Sequence, residues 1–221
     1  MIMKDKIIIF DLDDTLYKEI DFLKSGYKAL IKSIKYDYNI ELSYDLLIKE
    51  YFEGENVFQN IIYHYPFINL DYLLNIYRYH NPDIKLPQKE LYCLKKLYKI
   101  VFSLGIISDG RSVTQRNKLK SLGILNIFSD IIISEEFGSE KPALENYIYF
   151  EKKYPKKTFY YVGDNILKDF ITPNKLKWIT VGIKDINNYN IHKQSCNISR
   201  EYLPKYWVDN ICDLLSLIIN T

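Results

Sequence analysis

Three carboxylates stand close together in the stretch "IIIFDLDDTLY": Asp11, Asp13 and Asp14. Like charges at this spacing repel and raise one another's pKa, so the arrangement does nothing for folding. It does suit phosphoryl chemistry. One ionised carboxylate can attack phosphorus and form an aspartyl-phosphate. A second can give a proton to the leaving oxygen and later take one from water. A divalent cation with oxygen ligands offsets both the carboxylate repulsion and the phosphoryl charge. Ser108, in "IISDG", offers a hydroxyl beside backbone N–H groups that can bind phosphoryl oxygens. Gly110 lets the backbone approach closely. Lys141, in "SEKPA", offers a compact positive charge. Asp164, in "VGDNILKD", can be a further acidic ligand, and Asp169 can orient metal-bound water or hold Lys141.

These groups are scattered along the chain, so the elements before them must bring them together. Ile7 to Phe10 form a continuous apolar, β-branched run, which reads as a buried parallel strand ending at Asp11. "IVFSLGIIS" is a strand ending at Ser108, "DIIIS" another, "TFYYVGD" one ending at Asp164, and "WITVGI" a further one. Helices alternate with them: "QKELYCLKKLY", "SVTQRNKLKSLGI" stopped by Gly123, "KPALENYIYFEKKYP" with Pro142 in its first turn, "NILKDFITPNKLK" disturbed at Pro173, and a closing "VDNICDLLSLI". This alternation predicts an α/β fold, a parallel sheet flanked by helices on both faces. Ligands of such sheets bind outside the carboxyl ends of the strands, where Asp11, Ser108 and Asp164 stand.

Residues 17–86 differ. Phe22, Leu23, Tyr27, Leu30, Ile31 and Ile34 recur at helical spacing, Ser43 is an N-cap for a second helix, and Asn69 or Asp71 opens another. The block reads as a four- or five-helix insertion. Residues 1–16 and 87–221 then form the α/β core. The polar, Asn-rich segment from Lys184 to Pro204 reads as a long loop. The Tyr-rich stripes of the insertion read as core, with one or two rings facing the cleft.

Taken together, the chain resembles the haloacid dehalogenase-like (HAD) hydrolase superfamily. "DLDDT", "SDG", "EKP" and "GDNILKD" match its four motifs in order. The resemblance implies a Rossmann-like parallel sheet with an inserted α-helical cap of the C1 type. It implies that Asp11 is the nucleophile and Asp13 the general acid/base. It implies that Asp11, the Asp13 carbonyl and Asp164 hold Mg2+, and that Ser108 and Lys141 bind the phosphoryl group. Asp109 and Gly110 adjoin that position, although Asp109 by itself reads as a turn residue. Asp14 reads as a solvated or capping residue. Tyr17, Lys18 and Phe22 follow the nucleophile loop into the insertion and are candidate substrate contacts. The expected activity is Mg2+-dependent hydrolysis of a small phosphomonoester. Asp13 argues against carbon–halogen hydrolysis, since dehalogenases lack that carboxylate. A phosphomutase, a HAD-fold binding protein without catalysis, and a phosphoacceptor receiver domain are the rival readings.

Composition narrows the classes further. The 221 residues carry 30 basic and 28 acidic side chains, net +2, with no basic block of the kind a nucleic-acid binder shows. No apolar run approaches the roughly 20 residues of a membrane span, and the N-terminus lacks a signal-peptide cleavage site. The partner expected is therefore a small phosphorylated metabolite, with no nucleic acid or membrane, for a cytoplasmic monomer or homodimer. Cys93, Cys196 and Cys212 show no CxxC spacing and read as unpaired apolar residues in a reducing compartment. His64, His80 and His192 show no ligand spacing and read as surface or boundary residues.

Overall fold

The structure, a computed structural model, describes residues 3–194 and 197–221. The elements run β1 (Met3–Phe10), α1 (Glu19–Tyr38), α2 (Tyr44–Phe52), α3 (Val57–His64), α4 (Leu70–Tyr79), α5 (Gln88–Ile100), β2 (Val101–Ser108), α6 (Ser112–Ser121), β3 (Asp130–Ile133) and α7 (Ser134–Phe137). They continue as α8 (Leu144–Lys153), β4 (Thr158–Gly163), α9 (Ile171–Lys175), β5 (Ile179–Ile183), β6 (Tyr206–Val208) and α10 (Ile211–Asn220). Among the described residues the six strands form one parallel sheet in the order β3-β2-β1-β4-β5-β6.

β1 shows why this sheet needs cover on both faces. Ile8 and Phe10 join one apolar cluster, with Leu94 and Leu97 of α5 and Leu214 and Ile218 of α10. Ile7 and Ile9 point the other way, to Tyr147 and Phe150 of α8, Tyr161 and Trp178. The period-2 alternation of a strand converts one apolar run into two half-cores. Each fully buried aliphatic side chain contributes about 1.5–3 kcal/mol, so the strand is rigidly placed.

The topology creates the site. β1 continues to β2 on one side, and the chain crosses to β4 on the other. The switch point therefore lies between the carboxyl ends of β1 and β4, where such sheets open a crevice. Phe10 pairs with Val162 and with Ile106, and the Asp11 N–H donates to the Val162 carbonyl at 2.8 Å. Asp11, Asp164 and Ser108 thus leave the sheet along one edge.

The four helices α1–α4 pack around a third apolar cluster, formed by Leu23, Tyr27, Leu30, Ile34, Leu47, Val57, Ile61 and Leu73. Ser43 accepts the Leu46 N–H at 3.3 Å and Asn69 the Tyr72 N–H at 2.8 Å. Each such cap is worth about 1 kcal/mol. Tyr17 and Phe22 pack instead into the first cluster of the sheet, so the start of α1 is anchored on the core.

Several expectations need correction. Pro142 precedes α8 rather than lying in its first turn; the helix starts at Leu144. Asp169 lies in the turn before α9, not in the helix. α7 and β6 have no counterpart in the sequence reading; each is only three or four residues long, too short for a periodic signal. Cys93 and Cys212 are joined as a disulfide, with Cα atoms 5.2 Å apart across 119 residues. The packing of α5 against α10 brings them together, which no local spacing reveals. With two of the three cysteines paired, their pattern no longer points to a reducing compartment. Cys196 lies outside the described residues.

Candidate active site

A cavity of about 150 Å3 opens at the switch point, walled by Asp11, Asp13, Ser108, Lys141 and Asp164 among others. Lys141 is buried and donates to Asp11 Oδ1 at 2.5 Å and to Asp169 Oδ1 at 2.8 Å. Burial opposes its charge, but the two carboxylates outweigh it and hold the ammonium well above the ordinary lysine range. Asp169 is saturated: its Oδ1 also accepts the Tyr161 hydroxyl at 3.2 Å, and its Oδ2 accepts the Asp164 and Asn165 N–H groups at 3.1 and 2.9 Å. Gly163 permits this approach, since a Cβ there would lie 2.4 Å from Asp169 Oδ2. Asp169 is thus a post that fixes Lys141 and the turn carrying Asp164.

Asp11 and Asp164 are less well satisfied. The Thr15 hydroxyl lies 3.3 Å from Asp11 Oδ2 and 3.4 Å from Asp164 Oδ1, and its single hydrogen can serve only one of them. Asn190 donates to Asp164 Oδ2 at 2.9 Å. Burial, with Asp169 and Asp13 adding to it, pushes the Asp11 carboxyl up to about 7 against the pull of Lys141. Burial, with Asp169 and Asp11 adding to it, raises Asp164 far above its ordinary value. Asp11, Asp164 and Asp169 bring oxygens within 4.8 Å of one another. This all-oxygen donor set, with anionic charge in excess and Asp11 Oδ2 and Asp164 Oδ1 only weakly bonded, fits a small hard cation such as Mg2+.

Asp13 has a different environment. Its Oδ1 accepts the Tyr17 hydroxyl and the Lys118 ammonium, the latter at 2.7 Å, and its Oδ2 accepts Gln115 Nε2 at 2.7 Å. Burial works against its charge, but Lys118 and these hydrogen bonds win and lower its pKa. Gln115 Nε2 also donates to Ser108 Oγ at 2.6 Å and to the Asp109 carbonyl at 3.0 Å. One amide therefore ties the acid/base candidate to the phosphoryl-binding candidate.

Asp109 accepts the Lys141 N–H at 2.9 Å and Lys168 Nζ at 3.2 Å, and it lines the cavity. Gly110, at φ +132°, donates its N–H to Ser134 Oγ at 2.9 Å, in the wall of a neighbouring pocket. Asp14 is buried and capping rather than solvated, accepting the Glu19 N–H at 2.9 Å and the Ile191 N–H at 3.2 Å.

The structure separates the three candidate contacts at the entry to α1 from the cavity wall. Tyr17 donates its hydroxyl to Asp13 Oδ1. Lys18 donates to Asn190 Oδ1 at 2.8 Å, and Phe22 packs its ring 4.4 Å from the Lys118 ammonium. Glu19 lines the cavity instead, as does His192. Gln115, Lys118 and Asn190 also escaped the sequence reading, whereas Thr15 belongs to the "DLDDT" motif. Gln115 and Lys118 lie one helical turn apart on α6, at 2% and 3% exposure, but beside Val113 and the buried Leu119 the helix is otherwise polar and gives no apolar period to read.

The family comparison agrees with this architecture. Residues 8–183 match the model of the haloacid dehalogenase-like hydrolases. The chain belongs to that family, and within it to the phosphatase type. A glyceraldehyde 3-phosphate phosphatase of Methanocaldococcus jannaschii is 32% identical over 200 residues, covering 80% of this chain and 84% of that protein. The enzyme of the same name from Methanopyrus kandleri is 29% identical over 235 residues, covering 96% and 97%. Among solved structures, the HAD-hydrolase YfnB of Bacillus subtilis, bound to magnesium, superposes with a TM-score of 0.68 at 22% identity, covering 97% of this chain and 99% of that one. An L-2-haloacid dehalogenase of Xanthobacter autotrophicus shares the fold at a TM-score of 0.64 and 14% identity, so fold alone does not separate the two chemistries.

Proposed function

We propose that the protein is a Mg2+-dependent phosphatase acting on a triose-sized sugar phosphate, with glyceraldehyde 3-phosphate the first candidate. The observation that carries this reading is the convergence of Asp11, Asp13, Ser108, Lys141 and Asp164 on one cavity of about 150 Å3. A cavity of that volume holds a molecule about the size of benzene, which suits a phosphoryl group with a short leaving group better than a nucleotide. The names of the archaeal relatives supply the candidate.

In this reading Asp11 attacks phosphorus from the end of β1, and the bond from phosphorus to the leaving oxygen breaks. Lys141 balances charge on the nucleophile and the phosphoryl group, while the Ser108 hydroxyl and the N–H groups after it bind phosphoryl oxygens. Asp13 protonates the leaving oxygen and then takes a proton from the water that hydrolyses the aspartyl-phosphate. In the free protein Lys118, Tyr17 and Gln115 hold Asp13 ionised; an arriving phosphate dianion raises its proton affinity. Asp11, Asp164 and the Asp13 carbonyl would hold Mg2+, which when bound neutralises charge on the nucleophile and the phosphoryl oxygens. The helices over residues 17–86 act as a cap that excludes water from the aspartyl-phosphate.

The test is turnover of a panel of phosphometabolites by the purified protein with Mg2+, with and without a chelator. Glyceraldehyde 3-phosphate should rank among the best substrates, and chelation should silence the activity until Mg2+ is restored. Full activity in chelator overturns the metal assignment. A strong preference for nucleotides overturns the substrate size.

A further inference from the structure

We infer that Glu19 is the group that receives the leaving group, and that it fits the site to a short, uncharged, hydroxyl- or carbonyl-bearing leaving group rather than a carboxylated one. The inference rests on the phosphatase reading above and goes beyond it by assigning a specificity residue outside the four motifs.

The first line of support is position. If Asp13 protonates the leaving oxygen, the leaving group lies beside Asp13 and away from Lys141. Glu19 sits on that side. It lines the cavity at the start of α1, and the charges that act on it most are Asp13, Lys118, Asp14 and Asp11, not Lys141. The second is availability. The Glu19 backbone N–H is taken by Asp14 at 2.9 Å, but its carboxyl forms no hydrogen bond or ion pair among the described residues. Buried polar groups are normally partnered, so a half-buried carboxyl facing a cavity is free to bind what enters it. The third is charge. The wall carries Asp11, Asp13, Asp14, Glu19, Asp109 and Asp164. Against them stand Lys141, Lys168 and His192; Lys141 is spent on Asp11 and Asp169 and Lys168 is engaged by Asp109 at 3.2 Å, while Lys118 behind Asp13 is spent on it at 2.7 Å.

The electrostatics fit this role. Burial, with Asp13 adding to it, pushes the Glu19 carboxyl up to about 8, so near neutrality it largely keeps its proton. A protonated carboxyl donates to a carbonyl oxygen and accepts from a hydroxyl. A leaving group that brings its own carboxylate would instead place a new anion beside Asp13, and like-charge juxtaposition discriminates strongly at such contacts.

The experiment compares three esters on the wild-type protein and on Glu19→Gln and Glu19→Leu, all with Mg2+. Glyceraldehyde 3-phosphate and 3-phosphoglycerate share a carbon skeleton and differ by aldehyde against carboxylate. Phenyl phosphate has no polar atom on its leaving group beyond the ester oxygen. The wild-type protein should favour the aldehyde over the acid by about tenfold or more in kcat/KM. Glu19→Gln, which keeps a donor and an acceptor, should retain that preference. Glu19→Leu should lose at least about tenfold more on glyceraldehyde 3-phosphate than on phenyl phosphate, chiefly through KM. Equal losses on the two esters, or a wild-type protein indifferent to the carboxylate, overturn the Glu19 assignment and leave the phosphatase reading standing. Turnover of no ester by the wild-type protein overturns the phosphatase reading itself.

Discussion

Two buried carboxylate clusters sit at different ends of the sheet, and their charge accounts differ. At the amino end of β3, Asp130 is nearly fully buried. It accepts Tyr149 Oη at 2.9 Å, together with the Lys153 ammonium and the Tyr154 hydroxyl. Burial works against it, yet Lys153 and the two tyrosines win, and its pKa is lowered. At the carboxyl ends of β1 and β4, Asp11 and Asp169 share the Lys141 ammonium while Asp164 beside them has no ion pair among the described residues, and burial raises both Asp11 and Asp164. The first cluster is neutralised and complete. The second has an excess of anionic charge that folding alone does not explain. Burial therefore does not by itself mark a functional carboxylate; burial without enough partners does.

Three substitutions bear on this contrast. The largest effect belongs to Asp11. Asp11→Asn keeps the shape and removes the nucleophilic charge, so turnover of any phosphomonoester should fall by about three orders of magnitude or more, read as kcat. A wild-type rate would mean that the carboxylate excess serves something other than attack on phosphorus.

Asp130→Asn should act oppositely, on stability and not on rate. It leaves Lys153 and two hydroxyls facing an amide, a loss of about 1–3 kcal/mol, with kcat within about twofold. Because the folded Asp130 pKa is lowered, its stabilisation is fully present above the unfolded value of 3.8 and fades as pH falls through the folded value. The gap in denaturation midpoint between wild type and Asp130→Asn should therefore be full at neutral pH and close in strong acid. A gap independent of pH would place the contribution in packing.

The smallest effect is expected at Asp164. Asp164→Asn removes one of the mutually repelling carboxylates while the amide oxygen still accepts from Asn190 and the amide N–H faces the Thr15 hydroxyl, which can accept it. Metal-free stability should stay within about 1 kcal/mol of wild type, or rise. The increase in thermal midpoint that Mg2+ gives the wild-type protein should disappear. A metal-free loss as large as that of Asp130→Asn would erase the distinction between the clusters.

Much of this was legible in the sequence, for identifiable reasons. Strand ends can be read from apolar runs that stop at polar residues, so Asp11, Ser108 and Asp164 could be placed before the fold was seen. Ser43 and Asn69 announce their helices because capping is local. Gln115, Lys118, Asn190 and Glu19 give no such signal. Asn190 comes from an Asn-rich loop and reaches Asp164 across 26 residues. Gln115 reaches Asp13 across 102. The disulfide between Cys93 and Cys212 is hidden in the same way, because α5 and α10 meet only after the sheet is assembled.

The sequence by itself determined the family, the parallel sheet and the acids, hydroxyl and lysine at its strand ends, since these depend on residue type and short-range periodicity. Tertiary structure alone decided which charges are neutralised. It gave Lys118 to Asp13 and Lys141 to Asp11 and Asp169, and it turned Glu19 rather than Tyr17, Lys18 or Phe22 toward the cavity. Electrostatic interactions fall off with distance in space, not along the chain, and burial sets their strength. Only packing supplies both.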